Sequence, residues 1–510
     1  MPSRTDEWRP SSSGLDTDPW KSDVWEPGLS LRRGRDVRVL IITLVMALLT
    51  DAAVRSGVAT LGGFILVVAV AGGLLISGRI EHPQARGLVA VAPLFGFWLT
   101  VHTSMWLVPL DIIAVGGLVL LAASLESGGS LFDISLPSAI ARGLHALAHG
   151  VAAPAFVARS LRTSATAPTR VTMTAVLQGI GLAMPILVVI GVLLGTADAV
   201  FASFFQWWTP ESVVLHGVLV VTGAWGMAGL LRLASAEAVK PFRSFGYRLG
   251  TVQASVVLGS LVTLFGAFAV AQLIAISDGG HHVIETSGLS YAEYARSGFF
   301  QLLAVATITL AVLLVLRAVT DLSDPRSSRV FLVLSEAAVA LTLLVVFVAV
   351  RRLSLYEDAF GLTMLRLYSQ VFAVWVGVVF LFLGAALAGV ERHRVWLPPA
   401  AAAAGLAMLF TLNVINPEVI VVDHNVEHAT STGQFDAGYL AGLSDDAVPA
   451  LVDAIPQLDP AGRQKVLELV CTTGGRSDDR SRHDDGWLST NLSSNAARDA
   501  RSRVCPIAPG

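Results

Sequence analysis

Charge is scarce in this chain. Asp, Glu, Lys and Arg make up 14% of its 510 residues, where a soluble domain carries about one quarter. Lysine occurs only at Lys21, Lys240 and Lys465, so the basic residues are almost all arginine. The net charge of -3 gives no basic surface of the kind a nucleic-acid partner needs. Cysteine is confined to Cys471 and Cys505. There is no Walker loop, dinucleotide fingerprint, zinc-protease helix or nucleophile elbow. An ATP-driven pump and a soluble-type hydrolase therefore find no support, and no cofactor is implied. No cleavable signal peptide is read either: the first apolar run follows a polar leader and lacks a small-x-small site, which marks a retained signal anchor.

What the chain does have is apolar sequence. Hydrophobic residues reach 54%, and runs of bilayer-spanning length recur from Val37 to Ile415. About eleven segments are read, at 37–54, 58–77, 87–108, 111–125, 171–195, 213–233, 251–276, 298–318, 329–350, 364–389 and 397–415. Only helices satisfy their own backbone polar groups at this spacing, so the fold is predicted as an all-α polytopic membrane protein with a small helical extramembrane segment. The domain reading is a disordered cytoplasmic leader at 1–36, a transmembrane domain at 37–415, a helical extracytoplasmic segment at 416–471 and a flexible tail at 472–510. Trp8, Trp20 and Trp25 in the leader read as interfacial aromatics.

Arginine sets the expected orientation. Alternate loops carry Arg32, Arg33, Arg35 and Arg38; Arg79 and Arg86; Arg142, Arg159, Arg162 and Arg170; Lys240, Arg243 and Arg248; Arg326 and Arg329; Arg392 and Arg394. The opposite loops carry Arg55, Arg296, Arg351 and Arg352. This places the N-terminus in the cytoplasm and the C-terminus outside a cell membrane. Cys471 and Cys505 then lie in an oxidising compartment, where they are expected to pair.

Three polar groups fall on the predicted outer face. The loop after the seventh segment holds His281, His282, Glu285, Tyr291, Tyr294 and Arg296. The stretch RRLSLYEDAFGLTMLRLYSQVFAVW at 351–375 holds Arg352, Tyr356, Glu357, Asp358 and Arg366. The end of the last segment holds Asn413, Asn416 and Glu418. In the central stretch Gly361 is suited to end one helix and Thr363 to cap the next. Arg366 then stands one turn inside a span and needs a partner such as Glu357 or Asp358. Asp51 is expected to pair with Arg55, and Glu336 with Arg329. Adjacent His281 and His282 point in different directions, and no metal site is assigned there. In 138–161, His145 and His149 lie one turn apart on a predicted surface helix and read as part of a solvated basic face. Ser444, Asp445 and Asp446 read as a helix start, and Asp459-Pro460 as another.

SYAEYARSGFFQLL at 290–303, LSLYEDAFGLTMLRLY at 353–368, NPEVIVVDHNV at 416–426 and YLAGLSDDAVPAL at 439–451 together resemble a bacterial integral-membrane family. It is the one labelled domain of unknown function 4173, related to 4153. The resemblance spans roughly 170 to 451 and implies a polytopic membrane protein. It supplies no catalytic residues.

The sequence thus points to an outer-face pocket lined by Tyr291, Tyr294, Arg296, Arg352, Tyr356, Glu357, Asp358 and Arg366. Such a pocket suits an anionic lipid or a small ligand. The rivals are a scaffold with a membrane-protein partner, and a membrane-embedded transferase or transporter. No catalytic residue is assigned.

Overall fold

The computed structural model describes residues 37–154, 156, 210–237, 249–277, 298–320, 324–390, 395–433, 435–481 and 486–505. Among them the protein is all-helical. In the first half α1 is Val37–Arg55, α2 Leu61–Ile76, α3 Pro83–Val101, α4 Leu107–Leu125 and α5 Leu136–Val151. After the predicted fifth segment, which lies outside the described residues, α6 is Pro210–Leu233, α7 Thr251–Ser277 and α8 Phe299–Val319. Then come α9 Pro325–Phe360, α10 Met364–Ala385 and α11 Leu397–Ile415. The chain closes with α12 Pro417–Thr432, α13 Ala437–Ala441, α14 Val448–Ala454, α15 Pro460–Ser481 and α16 Leu492–Val504.

Eight of these helices, α3, α4 and α6 to α11, are long and apolar enough to cross a membrane. Their outward faces explain why water is the wrong solvent. Val252, Leu264, Ile308 and Val333 are each more than 60% exposed. A surface of that kind is a liability in water and a match for lipid. This is a multi-pass membrane protein. The fourth segment, expected to be short, forms a full helix from Leu107. The ninth extends to 36 residues, about 54 Å, and so outruns a hydrocarbon core of about 30 Å.

The helix ends gather at two poles. At one, the turn after α1 meets Thr490, whose carbonyl accepts from Leu61 N–H (2.9 Å). His216 near the start of α6 reaches Asp51 near the end of α1 (2.8 Å), and Arg55 pairs with the same carboxylate (3.4 Å), as its spacing predicted. At the other pole Arg79 donates to Ser235, Glu126 accepts from the N–H groups of Glu81 and His82, and Leu249 bridges to Thr320. Helices α12 to α16 sit on the first pole as a cap with its own apolar core, including Val421, Val422, Leu451 and Val466.

Three expectations need correction. The tail from 472 is not loose where described. α15 continues to Ser481, and α16 packs on α14 with Ala497 and Ala500 buried. An apolar small-residue face inside an Arg/Asp/Ser-rich composition hid this helix. The Cys471 and Cys505 sulfurs are joined, with 5.6 Å between Cα atoms, and so tie α15 to the end of α16. On α5 the arrangement is inverted: Ile140, Leu144, Leu147 and Val151 are exposed, while His145 and His149 are buried with ring centres 4.4 Å apart. The apolar stripe is turned outward, as on a helix lying in a lipid interface. Burial, and then the Arg142 charge, lower the His145 pKa and favour the neutral ring. Finally, Glu336 does not pair with Arg329: its Oε1 is buried without a hydrogen-bond partner, and Oε2 lies beside Gly384 on α10.

Candidate functional site

Two polar assemblies lie under the cap. The first is the break between α9 and α10. Gly361 ends α9 with φ 73°, a left-handed value that glycine adopts without strain. Its N–H donates to the Glu357 carbonyl (2.8 Å). Thr363 caps α10, its hydroxyl oxygen accepting from Arg366 N–H (3.4 Å). The Met364 N–H at the first turn donates to the Tyr439 hydroxyl of α13 (2.7 Å). Asn425 of α12 clamps the break from outside: its Oδ1 accepts from Leu362 N–H and its Nδ2 donates to the Leu362 carbonyl (3.2 and 2.7 Å). A Cβ on Gly361 would overlap Asn425 Oδ1. Gly361→Ala is therefore expected to destabilise the protein by about 1–3 kcal/mol, through forbidden φ and a broken clamp. A thermal unfolding midpoint equal to that of the parent would refute this.

The predicted site residues divide here. Arg366 stacks over the Tyr356 ring, 4.3 Å from its centre. Its Nη1 donates to the carbonyls of Phe360 and Gly361, closing the end of α9. It makes no ion pair with Glu357 or Asp358, contrary to expectation. Glu357 turns inward, is buried, and accepts from Gln370 Nε2. Asp358 is exposed. Arg352 points elsewhere, toward Gln272 of α7 (3.5 Å) and Gly298 at the start of α8. Tyr291, Tyr294 and Arg296, with His281, His282 and Glu285, lie outside the described residues. The break thus joins Tyr356 and Arg366, keeps Glu357 close, and does not gather Arg352 or Asp358.

The second assembly was only partly legible. His102, the residue after α3, is 3% exposed and stacks on Trp98. Its Nδ1 contacts Asp446 Oδ2 (2.8 Å) and its Nε2 the Asn413 carbonyl (2.9 Å). The Asn413 carbonyl only accepts, and so does Asp446 when ionised, so beside an ionised Asp446 both ring nitrogens donate and the ring is an imidazolium. Burial opposes that charge, but the Asp446 hydrogen bond and charge outweigh it, and the His102 pKa is raised. Burial likewise opposes the Asp446 charge. The His102 bond and charge and the donors of Thr103 prevail, and its pKa is lowered. Thr103 gives Asp446 Oδ1 both its N–H (2.7 Å) and its hydroxyl (2.8 Å). Asp446 was read as a helix-start residue; here it leaves the helix start to latch the α3–α4 turn. Its neighbour Asp445 holds Arg501 and Ser494 of α16 (2.8 and 2.9 Å).

Glu418, 2% exposed, accepts from the N–H and hydroxyl of Ser444 (2.9 and 2.8 Å). Burial raises its pKa against those bonds. Asn416, at φ 50°, makes the turn into α12 and accepts from Glu418 N–H (3.2 Å). Within the bundle Asn413 Nδ2 donates to Asp111 Oδ1 (2.8 Å). Tyr368 stacks on Trp106 (5.1 Å) within electrostatic reach of Asp111, Glu418 and Asp446. Asn413, Asn416 and Glu418 stood out as polar residues in or beside an apolar run. His102 and Asp446 did not, because their pairing bridges 344 residues. The polar interruption VHTS after an apolar run was the available signal.

A helical, multi-span bundle with a polar cap-side break defines the class: an integral-membrane protein whose distinctive chemistry sits where spans meet an extramembrane cap. Residues 88–454 match the family described as domain of unknown function, DUF4153. The chain belongs to that family. The label 4173 expected from the four sequence blocks is thereby corrected to its relative 4153, and the match begins at residue 88, before those blocks. No curated protein and no solved structure matches the chain.

Proposed function

We propose that this protein crosses the cytoplasmic membrane about eleven times and binds the phosphate of an anionic lipid headgroup at the outer-face break between α9 and α10. The reading adds α1, α2 and the run at 171–195, which lies outside the described residues, to the eight spans. The positions of the helix ends support the count. α5 packs at the pole opposite the cap and α6 opens at the cap pole, so an odd number of crossings joins them. The described arginines of the Arg-bearing loops, Arg38, Arg79, Arg86, Arg142, Arg326 and Arg329, share the pole opposite the cap. That is the pattern of a cytoplasmic N-terminus and an outer cap.

The observation that carries the ligand is Arg366. Its guanidinium is fixed by Tyr356 and two helix-end carbonyls through Nη1 alone. Nε and Nη2 stay available in a planar fork suited to phosphate. The positive end of the α10 dipole lies beside it. Exposed Phe360 and Leu365 flank it, which suits acyl chains next to a headgroup. Native mass spectrometry of the protein released from lipid, beside Arg366→Ala, tests this. The expected result is a discrete anionic lipid that the variant loses while its unfolding midpoint holds. Equal lipid occupancy in both proteins overturns it. A specific observation favours the scaffold as second reading: the Gln370–Glu357 and Arg366–carbonyl bonds also lock α9 to α10. A variant that unfolds while the parent carries no lipid selects that reading.

A further inference from the structure

Asp111 is a carboxyl group one turn inside α4 with no exposed surface. Its Oδ1 accepts from Asn413 Nδ2 (2.8 Å), and its Oδ2 is buried without a hydrogen-bond partner. Asn413 is 1% exposed. Its Nδ2 also donates to the Leu409 carbonyl (3.1 Å), so both amide protons are spent and the orientation of the amide is fixed. Asn413 Oδ1 is left as a second buried acceptor without a partner. Asp446 shows what a buried carboxylate needs to keep its charge: His102 Nδ1–H, the Thr103 N–H and the Thr103 hydroxyl all donate to it. Among the described residues Asp111 is given only the Asn413 amide. His102 lies within electrostatic reach of it, but that charge is committed to Asp446. Glu418 of α12 is a further acid, Arg142 of α5 binds Ser124 at the far end of α4, and His216 of α6 binds Asp51. A carboxyl at this depth with so few donors is lower in energy neutral than charged.

We infer that Asp111 and Asn413 form a proton-binding site inside the membrane, occupied at neutral pH, in which the Asp111 acid donates from Oδ2 to Asn413 Oδ1. One proton turns two unserved acceptors into a donor and its acceptor. Acid and amide then exchange a hydrogen bond in each direction. The Tyr368 hydroxyl, buried and unpartnered, donates as well as accepts, so the region is satisfied without an ion. The occupied site also leaves the His102 charge to Asp446 undivided. From Asn413 the bonded series of His102, Asp446 and Thr103 leads to the cap. The site is thus placed to take up and yield its proton on the cap side, the role that intramembrane acids serve in proton relays. It does not depend on lipid at the α9–α10 break.

Infrared difference spectroscopy of the full chain in detergent, with its aspartate carbon-13 labelled, tests the site. A carbonyl band of an un-ionised carboxylic acid is expected at neutral pH. It should move with the label, shift in heavy water and vanish in Asp111→Asn. The lack of such a band overturns the proton, and a band that ignores heavy water overturns its exchange. Unfolding supplies the second readout. Asp111→Asn places an N–H donor where the acid has its O–H, so the variant should fold and match or exceed the parent's midpoint at neutral pH. Between about pH 5 and 6 the unfolded parent is ionised at Asp111 while the fold keeps the proton. The parent's unfolding constant should therefore rise about tenfold per pH unit relative to the variant's. His102 and Asp446 titrate in both proteins and cancel in the comparison. A ratio that is flat with pH, or a variant that fails to fold, overturns the proposal.

Discussion

Asp446→Asn lowers the stability of the folded protein by about 3–5 kcal/mol, the cost of removing one partner from a buried ion pair. His102 remains hydrogen-bonded to the Asn413 carbonyl and stacked on Trp98, but its charge loses its counterion. The effect depends on pH, and its sign follows from the two groups. The His102 pKa is raised above its ordinary 6.5 in the fold. Its contribution is complete below 6.5 and is lost as pH rises through the folded value. The Asp446 pKa is lowered below its ordinary 3.8. Its contribution is complete above 3.8 and is lost as pH falls through the folded value. The difference in unfolding midpoint between parent and variant should therefore be largest from about pH 4 to 6.5 and shrink on both sides. Tryptophan fluorescence reports it directly, because Trp98 stacks on the imidazole. A difference that is flat from pH 4 to 9, or no difference at all, would show that the pair carries no charge.

Opening the Cys471–Cys505 bridge has the second large effect. The bond closes a loop with a separation of 34 residues, and a loop of that length stabilises the folded state by about 3–4 kcal/mol. Its loss falls on α15 and on α16, the latter of which also holds Asp445 through Arg501 and Ser494. The expected result is a fall in the unfolding midpoint when reductant is added to the parent. Cys471→Ser should start from that lower midpoint and not respond. A parent midpoint that ignores reductant while free thiols appear would refute the assignment.

The membrane fold was readable because burial in lipid imposes long apolar runs, and α3, α4 and α6 to α11 each announce themselves that way. The α9–α10 break was equally readable: Gly361 and Thr363 act locally, within one turn of the backbone they cap. What escaped the sequence was partner choice. Arg366 satisfies itself on carbonyls five and six residues before it rather than on the nearby carboxylates, because the end of α9 offers acceptors at no desolvation cost. Glu357 is drawn inward to Gln370. The burial of His145 and His149 was missed because amphipathicity says which faces differ and leaves open which one meets lipid. The His102–Asp446 latch joins residues whose separation no local pattern encodes.

Asn491 carries a consequence for assembly. Its Nδ2 lies within hydrogen-bond distance of the carbonyls of Ala59, Leu99 and His102 (3.0, 3.3 and 3.1 Å). Its Oδ1 caps α16 by accepting from Ser494 N–H (3.1 Å). The turns before α2 and after α3 therefore wait for a residue 389 to 432 positions further along the chain. Until that residue has been made, the turns before α2 and after α3 keep open carbonyls. The start of α16 closes back onto the turns that flank α2 and α3. A nascent chain stalled before Asn491 already carries the His102–Asp446 latch and lacks the amide that closes these carbonyls, a late feature on which quality control can act.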